Sequence, residues 1–135
     1  MDLDQARDFV RSNPRAVLAT RSSTGVHMSP VLVGVDDAGR LTVSSRETAY
    51  KVKHLRADPW AQLCVLNQGF FGEWVYVEGE AEVVSLPEAM EPLVEYYRGI
   101  SGEADDWDDY RAGMERERRV IVRITPTKAG PDRQG

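Results

Sequence analysis

Between Ser44 and Arg56 the chain reads Ser44-Ser45-Arg46-Glu47-Thr48-Ala49-Tyr50-Lys51-Val52-Lys53-His54-Leu55-Arg56: two adjacent hydroxyls, four cations and one acid. Leu41 to Ser45 alternates like a strand, and residues 47–56 switch to a helical pattern. A strand handing over to a helix here would put Ser44, Ser45 and Arg46 beside the free N–H groups of the first turn. The helix dipole, those N–H groups and side-chain donors then converge on one anion, and Lys51, about a turn further on, reaches the same point. The competing reading is a solvated basic face.

Two other places could meet a ligand. Met28-Ser29-Pro30-Val31 interrupts a strand with a proline, which cannot donate to a ladder and so belongs at an edge, a bulge or a strand end. There a ligand can approach the backbone of Ser29, Pro30 and Val31; an ordinary edge proline is the plainer reading. Trp74 and Tyr76 follow the Phe70-Phe71 loop and face away from the core side of their strand. They need a flat ring system, a helix or another subunit to cover them.

Groups for acid–base or nucleophilic work are scarce, and no catalytic residue is assigned. His27 and His54 are far apart in sequence and neither has a metal-ligand neighbour at useful spacing. Cys64, in the apolar run Ala61 to Leu66, reads as a buried structural thiol. The acidic run Glu103 to Asp109 lacks a calcium-loop pattern and reads as a solvated loop. If the chain is an enzyme, a bound cofactor does the chemistry.

The elements that must position these groups follow from periodicity and breakers. A helix is expected over 2–12, with Asp2 as cap and Gln5 reaching back. Strands are expected at Ala16–Thr20, Val26–Val35, Leu41–Ser45, Trp60–Leu66, Glu73–Val84 and Val120–Ile124, the last stopped by Pro126. In the fifth, Val75, Val77, Gly79, Ala81 and Val83 point inward. Ser85 reads as the cap of a helix running to about Arg98, with Met90, Leu93, Val94 and Tyr97 inward. A further helix spans Trp107 to about Arg116. Six mostly antiparallel strands with peripheral helices imply a mainly β (α+β) closed barrel, with an open α+β sandwich as the alternative. One domain is expected over 1–127, and 128–135 as a polar, flexible tail.

At 135 residues and 41% apolar content the chain suits one packed domain. Its net charge of −5 argues against nucleic acid, but the charge is segregated. Residues 7–56 hold nine basic and four acidic residues, 57–110 one basic and thirteen acidic, and 111–135 seven basic and three acidic. That pattern points to a local anion site within an acidic protein. No run approaches the ~20 apolar residues of a membrane helix. The acidic Met1–Gln5 start and the single cysteine set the expected compartment as the cytoplasm, without a disulfide framework.

The order of these pieces resembles the pyridoxamine 5'-phosphate oxidase-like split β-barrel flavoproteins, and more narrowly their F420-dependent branch. The resemblance is carried by Ala16-Val17-Leu18-Ala19-Thr20 with the Gly25 turn, Ser29-Pro30-Val31, and the stretch Lys51 to Pro59. It continues through Val77-Glu78-Gly79-Glu80-Ala81, Tyr96 to Glu103, Asp106 to Arg111, and Arg118-Arg119-Val120. It implies a six-stranded antiparallel split barrel of the FMN-binding type, forming a homodimer with cofactor grooves between subunits. Ser44, Ser45, Arg46 and Lys51 would hold the cofactor phosphate, and Ser29, Pro30 and Val31 would run along the ring. Trp74 and Arg119 would reach the site from the partner chain. The implied activity is F420-dependent hydride transfer to a small organic acceptor. An FMN-dependent oxidoreductase is the first alternative, and a non-catalytic flavin, haem or tetrapyrrole binder the second, with His27 or His54 as a haem ligand. The chain departs from the family pattern at His54, at Ala49 and at Ala129-Gly130.

Overall fold

The computed structural model describes residues 1–132, so Arg133 to Gly135 of the expected tail lie outside the described residues. In chain order the elements are α1 (Leu3–Ser12), β1 (Arg15–Ser22), β2 (Gly25–Leu32), β3 (Gly34–Val35), β4 (Leu41–Arg46) and α2 (Tyr50–Ala57). They continue with β5 (Trp60–Leu66), β6 (Trp74–Val84), α3 (Met90–Ser101), α4 (Trp107–Arg116) and β7 (Arg119–Gly130).

All seven strands join one antiparallel sheet in the order β2-β1-β5-β6-β7-β4-β3. The sheet curls until its edge strand β2 comes against β4 without pairing to it, which makes a split barrel. Inside, Leu18, Leu41, Val43, Leu63, Val65, Val75, Val77, Val122 and Ile124 form a core that α1 plugs with Ala6 and Val10. The Asp2–Gln5 capping box is present at the start of α1. The inward alternation of β6 is also as expected, with Val75, Val77 and Gly79 buried. Outside, α3 packs Ala89 and Leu93 against Ile121 of β7.

Four expectations are corrected. The described residues form seven strands rather than six, because Val26–Val35 divides into β2 and β3. The fully buried Val33 still donates its N–H to the Pro14 carbonyl (2.8 Å), in register with the β1–β2 ladder, and Gly34 and Val35 then pair with β4 instead. The last strand does not stop at Pro126 but pairs with β6 as far as Gly130, so residues 128–130 are strand rather than tail. Ser85 does not cap α3, which starts at Met90; its hydroxyl instead donates to Glu47 Oε2 (2.8 Å). Finally, α2 starts at Tyr50 rather than residue 47, because the Glu47 N–H bonds to the Arg118 carbonyl and the chain turns before the helix begins.

Candidate functional site

The end of β4, the start of β7 and the first turn of α2 meet at one corner of the barrel. In the β4–β7 ladder Arg46 stands directly opposite Arg119. Like charges so placed repel, and Glu117 Oε1 lies between them. It accepts from Arg46 Nη2 (3.2 Å), Arg119 Nε (3.2 Å) and Arg119 Nη2 (2.9 Å). The Arg119 guanidinium, then that of Arg46, holds the Glu117 carboxyl below the usual carboxylate range. Lys51 is the second residue of α2, and Ala49 before the helix supplies no side-chain cap to its N–H groups. Burial pushes the Lys51 ammonium down, and the charge of Arg119 pushes it further the same way. Among the described residues Lys51 makes no ion pair. The corner therefore gathers three cations around one carboxylate.

Tyr96 of α3 and Tyr110 of α4 line the approach. The Tyr96 hydroxyl donates to the Leu32 carbonyl at the end of β2 (2.9 Å). Burial raises its phenol, against the opposing pull of the Ser44 backbone and Arg119. Tyr110 donates to the Leu93 carbonyl (2.9 Å), and its phenol is pushed up to about 12 by burial and then by Tyr96. Tyr96 also borders a cleft of about 940 Å³ between α1, β3 and α3, lined by Val33, Gly34, Thr42 and Ile100. One tyrosine thus bonds to the edge strand, feels the charge of Arg119 and borders this cleft.

The structure sorts the sequence-predicted residues clearly. Arg46, Lys51 and Arg119 come together within one chain. Ser44 lies beside Tyr96, on the outer face of β4. Ser45 is 4% exposed on the inward-facing side of the same strand. Neither serine flanks a helix start, since α2 begins four residues after β4 ends. Arg56 is occupied: its Nη2 donates to Glu47 Oε1 (2.6 Å) and Ser85 Oγ (2.9 Å). Lys53 lies over the Tyr50 ring, 5.6 Å from its centroid. Ser29, Pro30 and Val31 do lie on an edge strand, with Pro30 opposite Val17. Trp74 begins β6, roughly 30 Å of strand from Val84 at the cation end. A single chain does not unite it with Lys51.

Two residues, Tyr96 and Glu117, escaped the sequence reading, and the histidines were weighed singly rather than as a pair. Tyr96 shares the inward stripe of α3 with Leu93, and that spacing signals packing rather than polarity. Glu117 stands two residues before Arg119, a local pair visible only once the turn into β7 is known. His27 and His54, distant in sequence, bring their ring centroids to 4.5 Å. Cys64 is half-buried on the outer face of β5 rather than in the core as expected, and that burial pushes its thiol up. Among the described residues no group of three or more His, Cys, Asp or Glu side chains could hold a metal ion, and no helix is long and apolar enough to cross a membrane.

The chain is similar over 96% of its length to the conserved hypothetical protein Rv2991 from Mycobacterium tuberculosis, at 26% identity, 82% coverage of that chain and a TM-score of 0.77. Two more distant solved structures share the fold. An F420 reductase is 18% identical, with 92% of this chain and 94% of that one covered and a TM-score of 0.70. An FAD-binding protein from Mesorhizobium loti is 16% identical, with 96% and 90% covered and a TM-score of 0.61. The profile of the pyridoxamine 5'-phosphate oxidase family matches residues 3–130. That match spans both strands of the cation corner, and the chain belongs to this family of flavin-binding oxidoreductases.

Proposed function

We propose that the chain is an F420-dependent oxidoreductase that passes a hydride to a small organic acceptor. The observation that carries the reading is Lys51. It is a half-buried ammonium beside Arg119, with no carboxylate partner among the described residues, and that arrangement favours a bound anion. Arg46 and Arg119 flank it, so a phosphate at this corner would meet three cations. A structural neighbour described as an F420 reductase supports the choice of deazaflavin.

The bound deazaflavin supplies the hydride. The chain's own residues bind and orient. Lys51, Arg46 and Arg119 hold the phosphate, with Ser44 near it. Ser29, Pro30 and Val31 offer an edge-strand backbone to the ring. Tyr96 fixes the end of β2 through Leu32 and borders the cleft that suits an acceptor. Two chains, paired through the outer sheet face, complete the groove in this reading, which gives Trp74 a route to the partner's site.

One observation favours FMN as a second reading. Arg56 is tied to Glu47 and Ser85, which leaves three cations at the corner, enough for a single phosphate. Fluorescence titration with F420 and with FMN tests both. F420 is expected to bind the tighter, and Lys51→Ala to weaken it by about 1.5–3 kcal/mol, the range for hydrogen bonds to charged groups. Tighter FMN binding would transfer the assignment to the flavin. Unchanged affinity in Lys51→Ala would remove the phosphate corner from both.

A further inference from the structure

The two histidines of the chain meet beside α2, one turn on from Lys51. His27 lies on the edge strand β2, directly opposite Thr20 of β1 in the ladder. Thr20 is 1% exposed, and its hydroxyl is 3.0 Å from His54 Nδ1. His27 Nε2 is 3.1 Å from Ser22 Oγ, which is itself 2.9 Å from Thr24 Oγ1. The two rings stand with centroids 4.5 Å apart and planes at 40°. Each imidazole thus has one nitrogen anchored by hydroxyls. The other nitrogen of each, His27 Nδ1 and His54 Nε2, has no hydrogen-bond partner among the described residues. Asp58, which follows α2, is already committed to Arg21 (2.6 Å).

We propose that His27 and His54 form a two-histidine site for one borderline divalent ion of the zinc, nickel and copper class, tying edge strand β2 to helix α2. Metal–imidazole bonds are about 2.0–2.1 Å, so one ion joins two nitrogens no more than about 4 Å apart. Rings with centroids 4.5 Å apart are within reach of that span. Ligand histidines are held by a hydrogen bond at the other ring nitrogen, which fixes tautomer and orientation. Here Thr20 and Ser22 stand at those positions. Imidazole donors select zinc, copper and nickel over magnesium or calcium, and water fills the remaining coordination positions. Lys51 and His54 stand one turn apart on α2, so this site neighbours the proposed phosphate corner but uses none of its cations.

Untagged protein is titrated calorimetrically with Zn²⁺ and Ni²⁺, with Mg²⁺ as the control. One ion per chain is expected for the first two and none for Mg²⁺. His27→Ala and His54→Ala should each weaken binding by about tenfold or more, and Cys64→Ser should leave it unchanged. A second measurement needs no variant: substoichiometric Cu²⁺ should broaden the ring-proton resonances of both histidines together. Absence of binding, wild-type affinity in either histidine variant, loss in Cys64→Ser, or broadening of one histidine alone would each overturn the site.

Discussion

Lys51 shows how the proposed anion site would draw on stability. Its ammonium takes up a proton less readily in the fold than in the unfolded chain, because burial and Arg119 both oppose the charge. Between those two values the unfolded state binds more protons, so the cofactor-free fold gains stability as pH rises through that window, below the ordinary lysine range. Lys51→Met removes the buried charge and keeps the stem. It should raise the Tm of the cofactor-free protein at neutral pH while losing phosphate-dependent affinity; a lower Tm would mean that Lys51 is satisfied without a ligand. Glu117 works in the opposite sense. Its carboxyl is held down by Arg119 and Arg46, so its contribution is present above the ordinary carboxylate range and is lost as pH falls through its folded value. Glu117→Gln leaves Arg46 and Arg119 facing each other across the ladder. The variant should melt earlier, and added cofactor should recover part of the loss by supplying negative charge to the same two guanidinium groups. Equal losses with and without cofactor, in paired thermal melts, would separate Glu117 from the anion site.

At the scale of elements, the clearest case is the crossing of β6 and β7. Pro126 lacks an N–H, and within a sheet it belongs at an edge or a bulge. It sits at such an irregularity, opposite Gly79, where the β6–β7 register shifts between Glu78 and Gly79 and pairing then resumes. A Cβ on Gly79 would lie 2.2 Å from the Thr125 carbonyl oxygen, so the missing side chain lets the irregular strand come close. Gly79→Ala should therefore destabilise by about 1–3 kcal/mol, the range for overpacking, read from the urea midpoint at unchanged slope. This crossing also marks what was legible in the sequence. The alternation Val75, Val77, Gly79 was readable because burial repeats every second residue, and Asp2 with Gln5 because a capping box is local. Pro126 as a stop and Ser85 as a cap were local signals too, but distant partners overruled them. Gly79 accommodates the proline from 47 positions away, and Glu47 takes the Ser85 hydroxyl. The proposed anion site was legible as a list of cations and not as an arrangement, because Arg119 reaches Lys51 only through the β4–β7 ladder.

For the whole molecule, that ladder explains the charge segregation: it joins the basic segment 7–56 to the basic segment 111–135, with Arg46 opposite Arg119. The outer face of the sheet has the contrary character. Pro30, Val17, Cys64 and Tyr76 stand in one cross-strand row over β2, β1, β5 and β6, and Met28 on the next row is 73% exposed. Val26 and Leu32 extend the row along the edge strand. Beyond β5, Phe70 and Phe71 meet edge-to-face with ring centroids 4.9 Å apart, Phe71 being 85% exposed. Apolar surface of this continuity calls for a cover. A second copy related by a two-fold axis offers the same face to itself and can bury about 800 Å² per chain. The face carries the backbone proposed to follow the ring at Pro30 and the aromatic residues at Trp74 and Tyr76, so dimerisation and cofactor binding should fail together. Met28→Glu places a charge at the centre of this face without touching the barrel core. Light scattering should then report a shift from dimer to monomer, and F420 affinity should fall although Arg46, Lys51 and Arg119 are unaltered. A monomeric Met28→Glu protein with full affinity would confine the cofactor site to a single chain; a dimeric one would move the interface elsewhere on the surface.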